Sequence, residues 1–131
     1  MHLIDLILQD HSITLTQGSG QTVISAVRCD SRTVDAGALF VCISGEVSDG
    51  HDFIADACSA DASAILTDGR PVSVPDGIAV ITTTDVAHAY SRLCSRFWPR
   101  RSGTLVGVTG THGNTSVCEY LRHICKRATG P

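Results

Sequence analysis

Residues 30–53 read DSRTVDAGALFVCISGEVSDGHDF. At their centre, Leu39-Phe40-Val41-Cys42-Ile43 is a short apolar run of strand-forming residues. Asp35-Ala36-Gly37 signals a turn before it, Gly45 ends it, and Asp49-Gly50 signals a second turn. From His51 to Ala60, the apolar residues Phe53, Ile54, Ala57 and Cys58 recur at helical spacing. A loop holding Ser31 and Arg32 therefore enters a strand, which opens into a loop holding Glu46, Ser48 and Asp49. Loops at strand ends are where polar ligand contacts concentrate. The same residues also suit two solvated surface turns, and the stretch by itself admits both readings.

Working outward, Leu3, Ile4, Leu6, Ile7 and Leu8 predict a short first helix ending near Gln9-Asp10. Ile13-Thr14-Leu15-Thr16 alternates as a half-buried strand does, and residues 22–28 predict a second strand. His2 and His11 read as surface residues without a role. On the C-terminal side, Ala64–Thr67 and Ile78–Ile81 are short buried strands separated by a loop holding Gly69, Pro71, Pro75 and Gly77. Thr84 or Asp85 caps a helix through Trp98, its apolar face carrying Val86, Ala89, Tyr90, Leu93, Cys94 and Phe97. Pro99 stops it. Strands and helices in alternation predict an α/β fold, a small mixed sheet with flanking helices. Arg100-Arg101-Ser102-Gly103 reads as a linker, which divides the chain into residues 1–101 and 102–131.

The totals fit one soluble core. The chain has 131 residues, 43% apolar and 18% charged, which excludes a disordered protein. A net charge of -3 gives no electrostatic case for nucleic acid or an anionic membrane. No stretch approaches a membrane span and no basic leader precedes the first helix, so a cytoplasmic protein is expected. The six cysteines form no CxxC pair and read as reduced and mostly buried. Cys118 and Cys125 share a helical face near His123, but no fourth ligand is close, so the spacing departs from zinc-site patterns.

Residues 104–109 predict a strand, residues 110–116 (GTHGNTS) a glycine loop, and Val117–Arg127 a helix with Val117, Leu121, Ile124 and Cys125 on one face. Strand, glycine loop and helix start form an anion-binding arrangement, in which backbone N–H groups and the helix dipole point at a phosphate. Nucleotide enzymes add a lysine for the phosphates and a hydroxyl for magnesium. Thr115, or less directly Ser116, offers the hydroxyl; Asn114 stands where the lysine belongs. Five residues separate Gly107 from Gly113, so the fit is to a shorter Gly-x-x-Gly-Lys-Thr form.

These two stretches together carry a resemblance. Asp30-Ser31-Arg32, the Gly37-x-Leu39-Phe40-Val41 strand, and Asp49-Gly50-His51-Asp52-Phe53-Ile54 resemble the N-terminal domain of the Mur ligases that build the peptidoglycan stem peptide. The likeness is greatest to the MurE type, UDP-N-acetylmuramoyl-dipeptide:amino-acid ligase, with the MurF type as nearest rival. Residues 107–117 are similar to that family's Val-Thr-Gly-Thr-x-Gly-Lys-Thr setting at every position but 114, and the whole resemblance spans about residues 25–127.

The resemblance implies that residues 1–101 bind the UDP end of a UDP-N-acetylmuramoyl-peptide, through Cys29, Ser31, Glu46, Val47 and Ser48. Glu46 departs from the neutral residue or histidine often found there in the MurE type. Residues 102–131 would be the truncated start of the central ATP-binding domain. There Gly110, Thr111, His112, Gly113, Asn114, Thr115 and Ser116 would line the ATP site and Thr115 would approach Mg. ATP and Mg are the cofactors of the intact family, in which ATP converts a substrate carboxylate to an acyl phosphate that an amino acid's amine then attacks. No catalytic residue is assigned within this chain. Losing the lysine's charge-assisted contact costs about 2–4 kcal/mol of transition-state stabilisation, so the chain is expected not to turn over ATP. Arg32 would be structural or adjacent to the diphosphate, and Asp30 would cap a turn. Residues 104–131 would pack on the first domain, self-associate or stay loosely ordered. Two alternatives stand beside the ligase segment: a non-catalytic UDP-sugar-binding module, and an inert fragment or interaction piece.

Overall fold

The structure, a computed structural model, describes residues 1–99 and 106–129. The chain falls into two compact units, Met1–Pro99 and Arg100–Pro131. The first runs α1 (Leu3–Ile7), β1 (Thr14–Gln17), β2 (Ala26–Arg28), β3 (Ala38–Val41), α2 (Ile54–Ser59), β4 (Ala64–Thr67), β5 (Ala79–Thr82) and α3 (Val86–Phe97). Its five strands form one sheet in the order β1-β5-β4-β3-β2. β2 to β5 are parallel, and β1 pairs antiparallel along β5. This is the small mixed α/β sheet that the strand and helix signals predict.

β3 and β4 are buried at every residue, as parallel strands covered on both faces must be. Their side chains alternate between two cores. Leu39, Val41 and Leu66 join Leu3, Leu6, Ile24, Ile81, Ala89 and Leu93 beneath α1 and α3. Phe40, Cys42 and Ile65 join Ile54 and Ala57 of α2 on the other face. No helix connects β4 to β5. Val72, Val74 and Ile78 of the connecting coil instead pack against the second core, so the loop covers the sheet where a helix would otherwise lie.

Several expectations are corrected. The strand predicted over residues 22–28 shrinks to Ala26–Arg28; Val23 makes an isolated bridge with His2, and Ser25 N–H donates to Gly37 O at 2.9 Å. His2 is not idle, because its Nδ1 donates to Gln21 O at 2.8 Å. The helix predicted from His51 begins as a 3-10 turn over Gly50–Phe53 and becomes α-helical only at Ile54. The cysteines are less buried than expected: Cys42 is fully buried, Cys58 and Cys94 are half-buried, and Cys29, Cys118 and Cys125 are exposed. At α3 the cap is Asp85, whose side chain accepts from His88 N–H at 2.9 Å. Among the described residues no helix is long and apolar enough to cross a membrane.

One buried carboxylate ties α1 to α3. Asp10, 6% exposed, accepts from Ser12 Oγ at 2.7 Å and from Arg92 Nη2 at 3.0 Å. Arg92 Nε also lies 2.7 Å from Asp10 Oδ2, as an ion contact without hydrogen-bond alignment. Arg96 Nη1 donates to Leu6 O at 2.8 Å and lies 3.5 Å from Asp10 Oδ2. Burial opposes the charge on Asp10, but the Ser12 hydrogen bonds and the two guanidinium groups outweigh it and hold the carboxyl below its ordinary 3.8.

Removing one partner of a buried ion pair strands the others. Asp10→Ala is therefore expected to cost about 2–3 kcal/mol in urea-induced unfolding, discounted for the partly exposed arginines. Because the folded pKa lies below the unfolded value, the Asp10 contribution is present above about pH 4 and disappears as pH falls through the folded pKa. The difference in unfolding midpoint between wild type and Asp10→Ala should narrow correspondingly on acidification.

Candidate functional site

The carboxyl end of β2 and the loop after β3 converge on one cleft of about 470 Å³. Cys29, Asp30, Ser31 and Arg32 form one wall, and Ser48, Phe53 and Asp56 the other. Of the residues that the resemblance singles out, the cleft unites Cys29, Ser31 and Ser48; Glu46 and Val47 are not among its lining residues. Both sit at the tip of the loop, where Val47 is 99% exposed.

Each wall is locally determined. Asp30 caps a 3-10 turn over Ser31–Thr33 by accepting from Arg32 N–H at 3.0 Å. It also receives the Arg32 guanidinium, at 2.6 Å from Nη2 to Oδ2. This hydrogen bonding holds the Asp30 carboxyl down at about 2 and raises Arg32. Behind the wall, the Cys29 thiol beside the Tyr90 hydroxyl, then burial and Cys94, push the phenol upward. Phe53 lies in the 3-10 start of the segment, ahead of α2. The 3-10 start of the segment leaves this ring 38% exposed, lining the cleft rather than joining the core.

The loop between β3 and the 3-10 turn is a narrow arm. Ser44 and Asp49 form an antiparallel bridge, and Gly45 N–H donates to Ser48 O at 2.9 Å. At its base, Gly50 N–H donates to Ile43 O at 2.9 Å. A Cβ at Gly50 would meet Ile43 N at 2.6 Å and Cys42 Cα at 2.8 Å, so the close approach of two backbone segments admits no side chain there. Asp49 caps the 3-10 turn, accepting from His51 N–H at 3.0 Å.

Asp49 lies in a separate turn along the chain from Asp68 and Arg70, but the fold gathers them. Arg70 Nη1 donates to Asp49 Oδ2 at 2.7 Å and Nε to Asp68 Oδ2 at 2.9 Å. Nη2 donates to Ser44 Oγ at 2.9 Å. His51, with a side chain only 11% exposed, lies between them. Its Nδ1 is 2.7 Å from Asp49 Oδ1 and 2.8 Å from Arg70 Nη2; protonated, it donates to Asp49, and unprotonated, it accepts from Arg70. His51 Nε2 is 3.3 Å from Asp68 Oδ1 but not aligned for a hydrogen bond. Arg70 is the leading cause that holds both carboxylates below their ordinary range, Asp49 well below. Underneath, burial and then the Asp49 and Asp68 charges push the Cys42 thiol to about 12, which rules it out as a nucleophile at neutral pH. The signal missed in the sequence was an arginine following two Asp-containing turns, which spacing alone does not pair.

The second unit contains α4 (Asn114–Thr129). The predicted strand over residues 104–109 lies partly outside the described residues, and residues 106–110 are not a strand. α4 starts three residues earlier than the apolar pattern predicts, which places Asn114, Thr115 and Ser116 in its first turn. Gly113, at φ +79°, makes the left-handed step into the helix. The Asn114 amide turns back and donates to Gly110 O at 2.7 Å. The His112 ring lies beside the Thr111 hydroxyl, 3.2 Å from Nδ1 to Oγ1. The arrangement fits an anion through the free N–H groups of a helix start. It does not supply the cation that phosphoryl transfer uses, because the side chain in that position is neutral and spent on the loop's own carbonyl. Among the described residues no three His, Cys, Asp or Glu side chains stand together as a metal site, so Cys118, His123 and Cys125 do not assemble one.

Residues 23–98 match the Mur ligase family, catalytic domain. The chain belongs to the Mur ligase family. It is 40% identical over 111 residues to the UDP-N-acetylmuramoyl-L-alanyl-D-glutamate--2,6-diaminopimelate ligase of Chelativorans sp. (strain BNC1), covering 84% of this chain and 23% of that one. It is 35% identical over 130 residues to the ligase of the same name from Syntrophomonas wolfei, covering 98% of this chain and 26% of that one. Among solved structures, the MurF ligase of Thermotoga maritima in complex with ADP superposes with a TM-score of 0.56 and 32% identity, over 76% of this chain and 22% of that chain. This Mur ligase chain thus spans about a quarter of the length of the curated relatives it matches.

The Gly50 contact yields a test of the arm. Gly50→Ala is expected to cost about 1–3 kcal/mol, because the clashing atoms are backbone and cannot rotate away. Urea unfolding would measure the loss, and shifts in the amide resonances of Ile43 and Gly45 would locate it.

Proposed function

We propose that the first unit binds the uridine diphosphate end of a UDP-N-acetylmuramoyl-peptide, as part of a cytoplasmic ATP-dependent ligase of the MurE type that joins an amino acid to that peptide. The observation that carries this reading is the cleft that unites Cys29 and Ser31 of one loop with Ser48 of another. Its volume is that of a small-ligand site. The relatives' names, at 33–40% identity, supply the substrate class.

The chemistry of the lining suits a nucleotide whose recognised end is neutral. Phe53 offers an aromatic face to the base, and the Ser31 and Ser48 hydroxyls can donate to or accept from uracil and ribose. Asp30 and Asp56 disfavour a diphosphate laid directly against them, so the phosphates would lie toward Arg32, whose guanidinium is 87% exposed despite its pairing with Asp30. Glu46 and Val47, at the tip of the arm, would face solvent or a bound ligand's far end. Around Gly110 to Ser116, the helix start would receive a phosphate of ATP through backbone N–H groups, and the Thr115 hydroxyl would hold the Mg ion. ATP, when bound, supplies the phosphoryl group that activates the substrate's carboxylate. Asn114 contributes a dipole where a full charge is needed.

A second reading, a UDP-sugar-binding module without catalysis, is favoured by that one residue. The neutral amide bonded to Gly110 O leaves the cradle without its cation.

Calorimetric titration of the chain with UDP is expected to show saturable binding at one site. Ser31→Ala and Ser48→Ala should each weaken it by about 0.5–1.5 kcal/mol, the range for a single hydrogen bond. Failure of UDP to bind, with the chain folded, would remove the proposal. In the nucleotide cradle, Asn114→Lys is expected to tighten binding of ADP in a salt-dependent way, whereas the unmodified chain should show no ATP hydrolysis in a phosphate-release assay.

A further inference from the structure

We propose that Arg70 is a positioning residue for the cleft: it latches the Ser44–Asp49 arm to the end of β4 and thereby sets where Ser48 stands. The inference rests on the reading of the cleft as a UDP site, but its structural half can be tested without a ligand.

The arm is held from within by the Ser44–Asp49 bridge and the Gly45–Ser48 hydrogen bond, and at its base by Gly50. Arg70 reaches it from a different loop, 21 residues beyond Asp49 and 26 beyond Ser44. The guanidinium contacts both ends of the arm, Ser44 Oγ at 2.9 Å and Asp49 Oδ2 at 2.7 Å. Its Nε remains bonded to Asp68, immediately after the fully buried β4. Arg70 N–H also donates to Asp68 Oδ1 at 3.1 Å, so the side chain that latches the arm belongs to a turn that is itself braced. The planar fork of an arginine can serve three acceptors at once, which a lysine ammonium on a flexible stem cannot do in the same geometry. Ser48 lies next to Asp49 and lines the cleft from an otherwise exposed arm. Arg70 itself does not line that cleft, so it acts through Asp49 rather than on a ligand.

A ligand that needs one arm position binds more weakly in proportion to the fraction of molecules that hold it. In Arg70→Met, hydrogen exchange at the Gly45 amide is expected to rise about tenfold, and the affinity for UDP to fall by a similar factor. Exchange at the Cys42 amide, bonded to Leu66 O within the sheet, should stay unchanged. Arg70→Lys should recover part of the affinity. Asp68→Asn, which weakens the latch away from the arm, should shift both readouts in the same direction, and should add little when combined with Arg70→Met; it also serves if Arg70→Met does not fold. Unchanged Gly45 exchange in the folded variants would overturn the latch. Raised exchange with undiminished UDP affinity would overturn its role in the cleft. Absence of UDP binding by the unmodified chain would instead remove the reading of the cleft, leaving the exchange comparison to decide the latch.

Discussion

Leu39 and Val41 point to one face of the sheet and Phe40 and Cys42 to the other, and all four are buried. A slip of β3 by one residue would exchange the two sets between cores of different shape, which is why its register with β2 and β4 is strongly specified. Because β2, β3 and β4 are parallel, fixing that register brings their carboxyl ends to the same edge. The Cys29–Arg32 turn, the Ser44–Asp49 arm and the Asp68–Arg70 turn all leave from that edge. The cleft is a consequence of strand direction, and crevices beyond the carboxyl ends of parallel strands are where open α/β sheets bind ligands.

Polar chemistry refines what this packing begins. Asp30 and Asp49 play the same part on opposite walls, each capping a 3-10 turn with its carboxylate and each receiving an arginine. The arginines differ in origin. Arg32 is two residues from its partner and 87% exposed, a local pair of small energetic weight. Arg70 comes from another strand's end and joins separate loops, so its weight lies in geometry rather than in the strength of any one contact. Asp10 has a third role, in which one buried carboxylate draws two residues of α3 onto the end of α1.

The glycine loop before α4 follows a different rule. There the backbone does the work that charge usually shares, since a left-handed glycine and a helix start present N–H groups whatever the side chains. Asn114 donates back to Gly110 O, so its side chain serves the shape of the loop.

Much of this was legible in order along the chain. The apolar runs at 39–43 and 64–67, the period of α3, and the caps at Asp30 and Asp85 are local signals, and local propensity and burial act on them in the same direction. Ser31 and Ser48 could be singled out because they follow strands, although their meeting in one cleft could not. What tertiary structure decided was pairing at a distance: Arg70 with Asp49 and Ser44, and Arg92 with Asp10. A charged residue in a loop looks alike whether solvated or latched, since spacing carries no information about a partner brought near by sheet order. Phe53 belongs to the apolar helical pattern in sequence, yet it ends a 3-10 turn and lines the cleft, 38% exposed. Sequence alone located the five strands of the first unit and the family they resemble; the parallel sheet, by bringing separated loops to one edge, decided which side chains act together.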